Sequence, residues 1–284
     1  MENIQNIKSR IRTINNIQKA ADAIKVISSI KLASVSKIDV NSLQSSIEIL
    51  KNTLSIVAAE ALYFNELSES HWIRRTEGKK LLVILSVDQG FCGSFKQSLV
   101  DSASSFIEEN NSCYVEIFGK KLSSINRNIV NDNSIDRNIK SRYAIDAFAN
   151  KLKDIIFKYV NKHGVHEVYV LCGKYKSAVL QTTKCIRILP ITIKDFHTFN
   201  TTEINTSRLQ LMDYLLNRYL YTLCFDIIRE HLLAELSVRV FAVDKTSRNA
   251  DDMQRELTLL YNRTRQTRIT QELTEIVSSS ECVK

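Results

Sequence analysis

Glycine and proline are confined to the middle of this chain. All six glycines lie between Gly78 and Gly173, and the single proline is Pro190. From Met1 to Glu77, and again from Ile191 to Lys284, neither occurs. Inside a helix Gly costs about 1 kcal/mol and Pro about 3 kcal/mol relative to Ala, so long stretches free of both suit long unbroken helices. Two breaker-free arms therefore flank a glycine-bearing middle.

Apolar spacing in the arms agrees. Ile4, Ile7, Ile11, Ile14, Ile17, Ala21, Ile24 and Ile27 step by three or four residues along one helical stripe. After a more polar stretch around Asp39 to Ser42, the stepping resumes at Leu43, Ile47, Leu50, Leu54, Val57 and Ala61. The last arm shows Leu209, Leu216, Leu220, Leu223 and Ile227, then Ala234, Val238 and Phe241, and later Met253, Leu257, Leu260 and Thr264. A mean spacing of about 3.5 residues specifies a coiled-coil seam. Between Phe241 and Ala250 the apolar series breaks among Asp244, Lys245, Thr246, Ser247 and Arg248, which reads as a slip of the seam within a continuing helix. As one helix, Arg208 to Val277 would span roughly 105 Å at about 1.5 Å per residue. A helix that long must pair with the first arm, enter another body, or both.

The middle has a different period. Leu81 to Val87 is a continuous apolar run ending at Asp88-Gln89-Gly90, the pattern of a strand buried on both faces. Further strand candidates are Cys113 to Phe118, Val168 to Cys172 and Cys185 to Ile191, with helical patterns at Ser94 to Glu109 and Tyr143 to Lys162. Strands alternating with helices indicate an α/β layer with a mostly parallel sheet.

The bulk composition, 284 residues at 44% hydrophobic and 25% charged, suits one or two globular domains. The six cysteines (Cys92, Cys113, Cys172, Cys185, Cys224 and Cys282) form no CxxC pair, which reads as free thiols in a reducing compartment. His163 and His166 flank Gly164 in a loop leading into a strand and carry no metal signal. No apolar run reaches the roughly 20 residues that span a bilayer, and the N-terminus lacks a signal-peptide core. Any membrane role is expected to be peripheral. The net charge of +8 favours anionic partners without choosing among nucleic acid, lipid and acidic protein.

A search for catalytic chemistry finds little. Asp88, Gly90, Cys92 and Gly93 follow a buried strand, where open α/β sheets bind ligands. Yet no GxGxxG, no GxxxxGK[ST], no GxSxG and no HExxH occurs, and Cys92 has no recognisable activating partner. A tight glycine turn is the better reading. The arms carry more information. Up to Lys37, Lys8, Arg10, Arg12, Lys19, Lys25, Lys31 and Lys37 face only Glu2 and Asp22. Glu235 and Arg239 are four apart, the spacing of an intrahelical pair that gives a few tenths of a kcal/mol of helix support. Arg263, Arg265, Gln266 and Arg268 crowd two turns, with a solvated face as the default interpretation.

The segment from Asn249-Ala250 through Met253, Leu257 and Leu259 to the run Tyr261-Asn262-Arg263-Thr264-Arg265-Gln266-Thr267-Arg268-Ile269-Thr270-Gln271-Glu272-Leu273-Thr274-Glu275-Ile276-Val277 closely resembles the C-terminal helix of F-type ATP synthase gamma subunits. Three more matches follow in order: Arg10-Ile11 through Gln18-Lys19 to Lys31-Leu32; Ser86 to Phe95, close to the family's Asp-Arg-Gly-Leu-Cys-Gly loop; and Glu235 with Arg239 in its Glu-x-Ala-Ala-Arg-Met segment. From Lys120 to Ser207 little matches beyond element order. Departures are Asp22 where the family has lysine, Gln89 where it has arginine, and Ser279-Ser280 in place of Gly-Ala.

This resemblance implies an α/β fold with a long antiparallel coiled coil of N- and C-terminal helices (1–76 and 205–284) and a central Rossmann-like domain (77–204). It implies a central-stalk shaft inside a ring of alternating alpha and beta subunits, one copy per complex. Its foot, with the epsilon subunit, would sit on the membrane ring of c subunits. No cofactor, metal or catalytic residue is implied in the chain itself. Arg265, Gln266, Thr270 and Glu272 match family residues that catch a loop of the ring; Arg239 and Lys25 match positions facing the acidic lever of beta. The expected location is the cytoplasmic side of a bacterial inner membrane, held peripherally. Two rivals stand beside this reading: a nucleotide-binding or thiol enzyme centred on Cys92, and a basic coiled-coil binder of nucleic acid.

Overall fold

The structure, a computed structural model, describes residues 4–63, 79–87, 90–110, 113–119, 129–133, 142–177, 181–191 and 207–281. In chain order its elements are α1 (Ile4–Ser36), α2 (Val40–Tyr63), β1 (Lys79–Leu85), α3 (Phe95–Glu109), β2 (Cys113–Phe118), β3 (Ile129–Asn133), α4 (Arg142–His163), β4 (Val165–Tyr175), β5 (Gln181–Leu189) and α5 (Arg208–Glu281). They gather into two bodies, one of Met1–Ser29 with Val240–Lys284, the other of Ile30–Arg239. The expected domain limits at 76/77 and 204/205 fall outside the described residues.

In the larger body the sheet order is β3-β2-β1-β4-β5. β1 pairs parallel with both β2 and β4, β2 pairs parallel with β3, and β5 closes the edge antiparallel to β4. Because successive strand residues point to opposite faces, the apolar run of β1 serves two cores. Leu81, Val83 and Leu85 join one face with α4, α2 and the first half of α5. Leu82 and Ile84 join the other with α3. The edge strand β3, with sequence IVNDN, was not among the expected strands.

The first arm departs from the expected single helix. It breaks after Ser36, and α2 starts afresh at Val40. Asp39 accounts for the restart: its Oδ1 accepts from Asn41 N at 3.0 Å and Ser42 N at 3.4 Å, and Ser42 Oγ donates to its Oδ2 at 2.5 Å. A side-chain oxygen that satisfies first-turn amides starts a helix and ends whatever precedes it. These bonds, led by the Ser42 hydroxyl, hold the Asp39 carboxyl below its ordinary value. Leu54, Val57, Ala58 and Ala61 of α2 then pack into the sheet core, so the second half of the arm is a wall of the α/β body.

In the smaller body α1 and α5 run antiparallel. Gln18 Nε2 donates to Asp251 Oδ1 at 2.6 Å, Ser247 Oγ donates to Asp22 Oδ1 at 2.8 Å, and Lys25 Nζ donates to Asp244 Oδ1 at 2.5 Å. In each pair the residue numbers sum to 269, the signature of one antiparallel register. The covered positions of α1 include Ile4, Ile7, Ile11, Ile14, Gln18, Ala21, Lys25 and Ser28, flanked by half-buried Asn15 and Ile24; those of α5 include Val243, Ser247, Ala250, Gln254, Leu257, Tyr261 and Thr264, flanked by half-buried Ala242, Asp244, Thr246 and Asp251. Both series step by alternating threes and fours, a heptad seam that does not slip. Sequence reading placed a slip there because it followed the apolar residues. Ile17, Ile27, Phe241, Met253 and Leu260 in fact face outward. Gln18, Lys25 and Ser247 share the seam with its apolar residues, and each of these three finds a partner across it.

Candidate functional site

In open α/β sheets the ligand crevice lies at the carboxyl ends of the strands where the order reverses, here between β1 and β4. α5 lies across that place. The Gly173 amide in β4 donates to His231 Nδ1 at 3.0 Å, which leaves the imidazole proton on Nε2. His231 Nε2 lies 3.9 Å from Glu235 Oε2. A Cβ on Gly173 would collide with the Phe95 ring and stand 3.3 Å from the Ala234 Cβ. Glycine is what allows helix and sheet to meet this closely.

The next turn of α5 secures the β1–α3 loop. Arg239 Nη2 donates to Glu235 Oε1 at 2.5 Å and to Cys92 Sγ at 3.4 Å, while its Nε donates to Gly90 O at 3.4 Å. Arg239 and Glu235 are 4% exposed, so the pair is buried, in contrast to the surface pair that its spacing suggests. Burial pushes the Cys92 thiol up to about 11, against the opposing pull of the Arg239 charge. A thiol that stays protonated at neutral pH is a poor nucleophile, so the loop has the chemistry of a structural turn. Gly93 supplies a positive φ of 51° for that turn, and Phe91 supplies another at 64°. Asp88 and Gln89 lie outside the described residues.

His163 closes α4, where its ring stacks near Tyr159 at 5.0 Å and Tyr114 at 5.5 Å between centroids. His166 lies beyond it in β4. Among the described residues no group of three or more His, Cys, Asp or Glu could hold a metal ion, and no helix is long and apolar enough to cross a membrane.

The six residues singled out for coupling fall in three places. Arg239 is inside the larger body, where its guanidinium donates to Glu235, Cys92 and Gly90. Lys25 is in the coil seam, ion-paired with Asp244, whose other partner is Arg248 at 2.8 Å. Asp22, the acidic departure, accepts from Ser247 across the same seam. Arg265, Gln266, Thr270 and Glu272 share the end of α5 and are all exposed. Glu272 pairs with Arg268 Nε at 2.9 Å, and Thr270 Oγ1 donates to the Gln266 carbonyl at 3.0 Å.

The register explains why that end is bare. It sets Ile4, the first described residue of α1, opposite Arg265, so the turns beyond have no described partner helix. They are nevertheless amphipathic. At about 100° per residue, Arg265, Ile269, Glu272 and Ile276 form one stripe, with Gln266, Thr270, Leu273 and Val277 beside it. The opposite side is Thr267, Arg268, Gln271, Thr274, Glu275 and Ser278, all polar. Ile269, Leu273, Ile276 and Val277 are exposed large apolar side chains on the same half as the four candidate residues. Sequence reading noted the charged residues here and missed this apolar half, which the helical period alone would reveal. It also missed His231, whose partner Gly173 is 58 positions away in the chain.

Comparison with known proteins agrees across the chain. The ATP synthase family model matches residues 3–283. The ATP synthase gamma chain of Geobacter sp. (strain M21) is 30% identical, and that of Fusobacterium nucleatum subsp. nucleatum 28%, each alignment covering 100% of both chains. Among solved structures, a chain of the Euglena gracilis mitochondrial ATP synthase (OSCP/F1/c-ring, rotational state 3) superposes with a TM-score of 0.62 at 14% identity. That match covers 99% of this chain and 94% of the other. A chain of the rotor of the same assembly in rotational state 1 gives 0.54 at 13% identity, covering 94% and 98%. These two likenesses are of fold.

Proposed function

The chain belongs to the ATP synthase gamma-chain family, and on that premise we infer that it works as the central shaft of a rotary ATP synthase. Rotation of the membrane c-ring, driven by ion flow, turns the shaft inside the ring of alternating alpha and beta subunits. The shaft performs no bond chemistry; the catalytic sites belong to the beta subunits. Epsilon and the c-ring hold its foot, which places it peripherally on the cytoplasmic face of a bacterial inner membrane. In this reading 1–76 and 205–284 are the arms of the shaft and 77–204 its foot domain.

One observation supports the reading most directly: the last described turns of α5 lie past the register position of Ile4, the first described residue of α1, and carry an exposed amphipathic face. Such a face fits insertion into another body. A rotor shifts a catalytic subunit between states only by interacting unequally with them. Moving that balance from 1:99 to 99:1 takes about 5.5 kcal/mol. Two or three charged hydrogen bonds at about 1.5–3 kcal/mol each supply that amount. Arg265, Gln266, Thr270 and Glu272 are the donors and acceptors proposed for it, with Lys25 a further contact lower on the coil. For Arg239 the proposed contribution to coupling passes through the β1–α3 loop it holds.

Reconstitution tests the reading. Alpha and beta subunits with this chain should form a stable complex whose ATPase activity needs it. Tight ATP binding or turnover by the purified chain would favour the enzyme rival. A DNA affinity falling steeply with salt would favour the nucleic-acid rival.

A further inference from the structure

His231 is 1% exposed and lies where α5 meets the sheet. A buried imidazole has to settle its nitrogens with partners inside the protein. Its Nδ1 accepts from the amide of Gly173, itself buried, at 3.0 Å. The described β1–β4 register ends at Ile84 and Leu171, short of Gly173. His231 therefore supplies the acceptor that a neighbouring strand supplies elsewhere in the sheet. One nitrogen lone pair fastens α5 to the end of β4, and protonation would turn that acceptor into a donor. Donor would then face donor in a place closed to water.

The surrounding charges decide whether an imidazolium is tolerated there. α5 presents Glu235, whose Oε2 lies 3.9 Å from His231 Nε2. That carboxylate already accepts from Arg239 at Oε1, so a guanidinium balances it before any histidine proton arrives. The β1–α3 loop presents Cys92, the other partner of Arg239 Nη2 and a protonated thiol at neutral pH. α3 presents the Phe95 ring, its centroid 6.1 Å away, and β4 presents the Gly173 amide; neither carries charge. Nearby on α5, Arg229 pairs with Asp226, and Glu230 acts on Cys172. The Glu235 contact is longer than a hydrogen bond and the Gly173 contact is a full one, so the loss at Nδ1 outweighs the gain at Nε2.

We propose that His231 is a proton-released latch between α5 and the sheet: neutral, it holds the end of β4 against the helix, and on taking up a proton it lets go. The latch is complete within this chain and holds whether or not the shaft reading does. In an unfolded chain a histidine takes up its proton at about pH 6.5. The latched imidazole binds that proton more weakly than the unfolded one. Its contribution to stability is thus complete above that pH and is lost as pH falls below it, by up to about tenfold in the unfolding constant per pH unit. Mild acid loosens the grip of the α/β body on the helix that crosses it.

The test compares the full natural chain with His231→Asn, whose Oδ1 can accept from the Gly173 amide but cannot titrate. Urea unfolding reads the unfolding constant. Between about pH 7.5 and about pH 5.5 it should rise about tenfold more in the natural chain than in the variant. The other histidines are common to both chains and cancel in the comparison. If the variant does not fold, the natural chain decides alone. Exchange of its Gly173 amide, corrected for the intrinsic rate, should then be about tenfold faster at the lower pH. Equal pH dependence in the two chains overturns the proposal. So does a Gly173 amide whose corrected exchange is the same at both pH values. Greater stability of the natural chain in acid also overturns it, as does an imidazolium at position 231, seen by imidazole nitrogen NMR, above about pH 7. Either would make Glu235 the partner that matters.

Discussion

Arg239 Nη2 lies 2.5 Å from Glu235 Oε1, one helical turn away, with both residues 4% exposed. The pair therefore sits at the contact between helix and sheet with its partners fixed. Breaking a buried ion pair on one side costs about 3–5 kcal/mol, because the remaining charge stays buried without compensation. Arg239→Met should lower the stability of the larger body by that order in urea melts. The double change Arg239→Met with Glu235→Leu should recover a large part of it. A double variant as unstable as the single one would show that the charge pair is not the source of the loss.

Gly173 is where β4 and α5 meet, with Phe95 on one side and Ala234 on the other. Adding one methyl group to a filled site forces neighbours aside at a cost of about 1–3 kcal/mol. Gly173→Ala should lower the thermal midpoint accordingly. An unchanged midpoint would mean that Phe95 swings away without loss.

The Asp244 carboxyl is held below its ordinary value of 3.8, first by the hydrogen bond from Lys25 and then by the charge of Arg248. A depressed carboxylate stabilises the coil fully above the unfolded value, and that contribution fades as pH falls through the folded one. Lys25→Met should move the Asp244 titration, followed by carboxyl carbon NMR in the intact chain, upward toward 3.8. High salt should move it less, because the Lys25 contact is a direct hydrogen bond. No change in the variant would disconnect the two residues.

With a value near 11, Cys92 is a thiolate in only about one molecule in a thousand at pH 8. Alkylation with iodoacetamide, mapped by mass spectrometry, should label Cys92 slowly in the folded chain and readily in urea. Rapid labelling of the folded chain would revive the thiol-enzyme reading.

Arg265 and Gln266 are exposed on the turn level with Ile4, so replacing both by Ala should leave the melting of the isolated chain within about 0.5 kcal/mol of the natural one. In the assembled complex the same change should reduce coupling between ATP hydrolysis and ion pumping about tenfold or more, given charged hydrogen bonds of about 1.5–3 kcal/mol. Full coupling in the double variant would remove these two residues from the proposed contacts.

Much of the architecture was legible because apolar runs and breakers mark it. β1 is marked by the apolar run Leu81–Leu85 and β2 by an apolar segment broken only by Glu116, while the absence of Gly and Pro marks the span of α5. β3 was invisible because three of its five residues are polar. The start of α2 depended on one Asp side chain caught by Asn41 and Ser42, a contact that hydrophobic spacing does not register. The seam between α1 and α5 was misread for the same reason. Gln18, Lys25 and Ser247 occupy inward positions because each has a partner across the interface, and partners on distant segments leave no local mark. Of the candidate residues, those at the end of α5 could be located from helical period alone, while the inward aim of Arg239 required the β1–α3 loop to be seen beside it.

His231 and Ala234 occupy the seat where folds of this layout commonly hold a nucleotide. In this chain that seat is taken by a helix of its own. Within the larger body, helix and sheet are joined where such folds commonly leave a cleft, so a twist applied to one is carried by the other.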